Sequence, residues 1–304
     1  MSRIHLWLAA ILVATLPVCT SACDICGCGV GTSYFGLMPQ MHQNLVGLRW
    51  REAHFRSSSL HDGGSSRDFF RSLELTARYY PARRWQITAF VPVNFNYRET
   101  DEQTQRQSGF GDAAVLANFS LWTRRSSNAA GAPVRHLLLL GGGAKLPTGH
   151  FREANGSHGE ALPNFQLGTG SVDFLASLGY TLRHPRWGLH AESGVKINTP
   201  NPDGYRFGHR LNGQVFGFAV VNLSQRSYLM PMLGGYAEIS QIDRKEGRRQ
   251  SETGGHLFNA VAGAELFVRQ MSVGAQLQWP LAHDLAEGAV EAGPRFSLSA
   301  AYLF

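Results

Sequence analysis

The feature that most constrains this chain is a two-residue alternation of apolar and polar side chains, repeated in segment after segment beyond residue 44. In 293–304, Phe296, Leu298, Ala300, Tyr302 and Phe304 share one face, while Arg295, Ser297 and Ser299 share the other. In 85–97, Ile87, Ala89, Val91, Val93, Phe95 and Tyr97 alternate with Thr88, Asn94 and Asn96. Residues i and i+2 lie on the same side of a strand, so this pattern specifies sheets with one apolar and one polar face. Past the amino-terminus, no run reaches the ~18 apolar residues that a membrane helix needs. The spacing predicts strands at 44–57, 68–80, 84–98, 109–124, 134–147, 168–183, 186–198, 205–223, 227–243, 253–268, 271–281 and 293–304.

The connections between these segments alternate in length. Pro81-Ala82-Arg83, His184-Pro185, Ser224-Gln225-Arg226 and Arg269-Gln270 are short. The stretches at 57–67, 99–108, 148–167, 244–252 and 282–292 read as long. Charged residues are only 16% of the chain, below the roughly 25% of soluble domains. An even number of strands, alternating connections and few charges predict an all-β fold, an antiparallel transmembrane β-barrel of about 12 strands. A spanning sheet must close on itself, because lipid offers no partner for an unpaired edge.

The first residues carry an address. Arg3 precedes the apolar run Leu6–Leu16, Pro17 breaks it, and Thr20, Ser21 and Ala22 supply small residues for cleavage. The expected organisation is a signal peptide over 1–22, a Cys-containing periplasmic segment over 23–43 and an outer-membrane barrel over 44–304, with both termini periplasmic. The outer-membrane lipid is then the surrounding partner. The aromatic end, Phe304 with Tyr302 on its face, resembles the terminal-strand signal read by the bacterial barrel-assembly machinery.

If the apolar face meets lipid, the other face lines the lumen. This places Arg49, Arg51, Glu74, Arg78, Asp112, Lys145, Asp173, Glu192, Lys196, Glu265 and Arg295 inside, with Asn94, Asn96, Asn118, His190, Glu238, Gln276 and Gln278. A lysine or arginine facing lipid at mid-depth costs about 2–4 kcal/mol, which drives this register. Such a lumen is either a polar path for solutes or a plugged interior of paired charges. Its mixed signs argue against strong ion selectivity.

Cys23, Cys26 and Cys28 form a CxxCxC cluster, with Gly27 and Gly29 easing the turn. Thiolates so spaced can converge on one soft ion, Cu(I) or Zn(II). An oxidising periplasm could instead pair two of them as a disulfide, and Cys23 could be acylated after cleavage. The net charge of +6 is scattered, without a basic stripe interleaved with aromatics, so no nucleic-acid partner is expected. No GxSxG, HExxH or phosphate loop occurs, so no enzyme is expected.

Ala144-Lys145-Leu146-Pro147-Thr148-Gly149, followed by Leu167-Gly168-Thr169-Gly170-Ser171-Val172-Asp173-Phe174, resembles a bacterial outer-membrane transporter-like family named for a putative MetA pathway of phenol degradation. In that family a K-L-P-T-G strand end and an L-G-T-G-S-x-D-F strand start flank a long loop. The resemblance covers about 35 residues closely. It implies a barrel that passes small molecules, hydrophobic ones among them. The CDICGCG segment departs from the family and suggests a metal-handling variant. A non-conducting envelope barrel is the third reading.

Overall fold

A computed structural model describes residues 42–58, 65–101, 103–127, 131, 133–151 and 163–304. It is a closed antiparallel β-barrel of 12 strands. We number them β1 (Leu45–Ser58), β2 (Ser65–Ala82), β3 (Trp85–Thr100), β4 (in two pieces, Thr104–Phe110 and Ala114–Ser127), β5 (Pro133–Lys145) and β6 (Asp173–Arg183). The others are β7 (Trp187–Ile197), β8 (Arg210–Ala219), β9 (Ser227–Ser240), β10 (Gly255–Val268), β11 (Met271–Leu285) and β12 (Val290–Leu303). Each strand pairs with its neighbours in the chain. The seam is closed by β1 against β12, with Leu48 opposite Ala300 and Trp50 opposite Leu298. No helix among the described residues is long and apolar enough to cross a membrane.

The molecule is inside out relative to a soluble sheet protein. Leu48, Leu75, Val91, Leu178, Val215, Leu233, Val273 and Leu298 point outward and are exposed. Arg49, Glu74, Thr88, Asn118, Lys145 and Glu265 alternate with outward residues and are buried inside. The pleat delivers this sorting, since successive side chains leave opposite faces. Outward aromatics gather toward the two ends. Tyr79, Trp85, Trp187, Tyr302 and Phe304 lie near the end that holds the termini; Phe110, Phe174, Phe258 and Trp279 lie toward the other. Such girdles suit the two water–lipid boundaries of a membrane barrel.

Several expected boundaries move. The 99–108 stretch, expected as a loop, is mostly strand: β3 runs to Thr100 and β4 resumes at Thr104. The 282–292 stretch is also mostly strand, with a short 3-10 turn at Ala286–Gly288 between β11 and β12. Both hairpins continue beyond the apolar belt, where water on both faces removes the alternation that marks a strand in sequence. Conversely, β6 begins at Asp173 rather than 168, and β8 at Arg210 rather than 205, because 163–172 and 198–209 fold as loops at the end opposite the termini. Tyr205–Arg206 and Arg248–Arg249 flank Arg244–Lys245 in a small separate sheet there.

Candidate functional site

The lumen is chemically mixed. On β1–β3 it is charged and paired. Arg49 donates to Glu74 at 2.5 Å and Arg51 to the other oxygen of the same carboxylate at 3.1 Å. Nearer the far end, Arg98 grips Asp68 with two bonds, of 2.5 and 2.6 Å. Across the lumen, Glu238 lies between Arg210 at 3.4 Å and Arg295 at 3.7 Å, and accepts from the Tyr236 hydroxyl at 2.5 Å. On β7 and β8, Glu192 lies 3.5 Å from His190 and accepts from Gln214 at 3.0 Å. Removing charges from water is costly, and pairing of this quality offsets it.

The wall formed by β8–β10 carries an apolar patch beside these charges. Phe216, Phe218, Met230, Met232, Tyr236, Val261 and Phe267 pack together on its inward face. Arg183 lies over the Phe218 ring at 5.4 Å, so a cation edges the patch, and the His190 ring is 5.1 Å from Phe216. A second inward apolar cluster sits toward the far end, where Phe55, Phe70 and Leu257 meet Phe165, Ala286 and Val290.

Phe165 belongs to the loop between β5 and β6, which turns into the barrel. Asn94 donates to the Leu167 carbonyl at 2.9 Å, and Asn96 to the Gln166 carbonyl at 3.3 Å. Phe165 covers the Arg98 guanidinium at 5.3 Å and meets Phe70 edge-on. Asn164, Phe165, Gln166 and Thr169 are all buried.

The base of this loop is fixed by a buried polar knot. Lys145, fully buried, donates to Asp112 at 2.5 Å, lies 2.9 Å from Asp173 and also donates to the Thr169 hydroxyl. Asp112 accepts the Gly149 and Thr169 backbone N–H groups at 3.0 and 2.8 Å. Asp173 accepts from Ser171 at 2.9 Å and from the Thr199 N–H at 3.1 Å. Gly149 and Gly168 meet backbone to backbone beside Asp112; a Cβ on Gly149 would lie 2.8 Å from the Gly168 Cα. The two halves of the sequence motif therefore touch.

Asp112 sits in an interruption of the wall. The chain leaves strand geometry at Gly111-Asp112-Ala113, between the pieces of β4. Thr148 fills the gap. Its hydroxyl accepts from the Ala113 N–H at 2.7 Å and donates to the Gly111 carbonyl at 2.8 Å. A second knot ties the neighbouring loops: Asp243 accepts from Tyr205 at 2.6 Å and from the Gly208 N–H at 2.5 Å. Asn201 joins these loops to the inward one by donating to the Thr169 carbonyl at 3.2 Å. Burial, and then the Arg206 guanidinium, hold the His209 imidazole below its usual range, which suits its acceptance of the Asn198 N–H at 3.1 Å.

Lys196, 4% exposed, and Arg78, 3% exposed, also point inward, as does Glu265. The sequence reading missed Thr148, Thr169, Ser171 and Asp243, whose roles depend on contacts across distant loops. Cys23, Cys26 and Cys28 lie outside the described residues.

No family model and no curated protein matches the chain. Solved structures do. The COG4313 outer membrane channel from Pseudomonas putida F1 superposes with a TM-score of 0.60 at 15% identity, covering 86% of this chain and 95% of that one. The β domain of the Bordetella autotransporter BrkA gives 0.46 at 13% identity over 86% and 100% of the two chains. The translocator domain of NalP from Neisseria meningitidis gives 0.44 at 11% over 88% and 91%. At these identities the likeness is one of fold, and the fold is that of outer-membrane β-barrels.

Proposed function

We propose that this protein is an outer-membrane channel, with both termini periplasmic, that passes small molecules having an apolar body and a polar group. The observation that carries this reading is the mixed lumen: paired charges beside a patch of aromatic and thioether side chains on β8–β10. A solute of mixed character would find a partner for each part on its way through. The inward segment 163–169 acts as the constriction, held by Asn94 and Asn96 on its flank and by Lys145 and Asp112 at its base. In this reading passage is by diffusion and is not strongly ion-selective, because the lumen carries both signs.

The test is single-channel recording in planar bilayers, with uptake of small aromatic acids and of sugars into liposomes. The wild type should show small conductance steps. Asn94→Ala combined with Asn96→Ala should give larger or longer-lived steps and faster uptake. Absence of both conductance and uptake in both proteins, each shown to be folded, would make the barrel a structural envelope component instead.

A further inference from the structure

Glu265 is not used by any of the pairings above. It projects inward from β10, is 1% exposed, and its carboxylate oxygens make no well-formed hydrogen bond, although the Ser272 hydroxyl of β11 is near enough to act on them. Arg78 on β2 is near enough for its charge to act on this carboxylate. The strand register places a set of oxygens beside it. Glu265 lies opposite Gly274 of β11, Gly274 opposite Ser299 of β12, and Gln276 opposite Ser297. These residues and Met232 enclose a cavity of about 10 Å³, the size of one water molecule or one small ion. Gly274 creates the space, since a Cβ there would lie 2.8 Å from the Ser299 hydroxyl oxygen. Gln276 is also unsatisfied: its amide nitrogen has no partner, while its oxygen accepts weakly from Ser297 at 3.5 Å.

We propose that this pocket binds a small hard monovalent cation, of the sodium class. A buried carboxylate with no close ion pair is unstable unless a positive charge comes to it or a proton neutralises it. The available donors are the Glu265 carboxylate, the Gln276 amide oxygen (after a flip of the amide) and the Ser297 and Ser299 hydroxyls. All are hard oxygens, which select alkali and alkaline-earth ions over soft metals. One carboxylate balances one charge, and the nearby Arg78 further disfavours a divalent ion. The cation would link three neighbouring strands beside the β12 seam strand.

The experiment is equilibrium unfolding of the full chain refolded in detergent, in sodium chloride and in N-methylglucamine chloride at equal ionic strength. Sodium at ~10 times its dissociation constant should multiply the folded-to-unfolded ratio by about 11. Glu265→Gln should abolish the difference between the two salts. Ser299→Ala should weaken it, and serves as the variant if the glutamine form does not fold. Equal stability of the wild type in both salts would overturn the proposal, leaving a protonated or hydrated carboxyl. So would the same sodium effect in Glu265→Gln, or stabilisation by calcium but not by sodium.

Discussion

Lys145 concentrates the chemistry of the loop base in one side chain. It is wholly buried and lies between two carboxylates, each also held by backbone N–H donors. Lys145→Met keeps the length of the side chain and removes its charge. Two acids are then left without their cation, and breaking a buried pair in this way costs about 3–5 kcal/mol. The loss should fall on the loop before the barrel, so limited proteolysis should cut within 146–172 in the variant and not in the wild type. The sequence showed that Lys145 stands where a strand ends. It did not show that Asp112, 33 positions earlier, meets it, because that contact depends on register across β4 and β5. The motif marked Thr148 and Thr169 but not what they touch, since their partners Ala113 and Asp112 lie far off in the sequence.

Strands were the most legible elements, for a physical reason. Within the apolar belt each position must satisfy either lipid or lumen, so the alternation is enforced residue by residue. Outside the belt it lapses, and there the expected ends failed: the β3–β4 and β11–β12 hairpins extend through stretches that read as polar loops. The same asymmetry sets the sensitivity of each strand to substitution. Leu298 faces lipid opposite Trp50 and Ala275, well inside the belt. Leu298→Arg should destabilise the barrel by about 2–4 kcal/mol in urea unfolding from lipid vesicles. A similar loss in detergent micelles alone, without the vesicle-specific component, would place that position outside the hydrocarbon.

As a whole molecule the barrel depends on its seam. Phe304 closes it by donating its N–H to the Asn44 carbonyl at 3.0 Å and accepting the Asn44 N–H at 3.1 Å. Its ring is exposed outward and stacks on Tyr302, as the expected terminal-strand assembly signal requires. Phe304→Ala should therefore lower the amount of assembled barrel in cells while leaving refolding of purified protein in detergent little changed; heat-modified migration on gels reads both. The interruption in β4 has a different reach. Thr148 supplies, from the loop, the donor and acceptor that the wall lacks at Gly111 and Ala113. The same residue is thus part of the stopper and part of the barrel's hoop. Withdrawing Thr148 would unpair backbone groups in the wall. In the proposed channel any opening would leave Thr148 in place, since the barrel cannot release that root without weakening its own circumference.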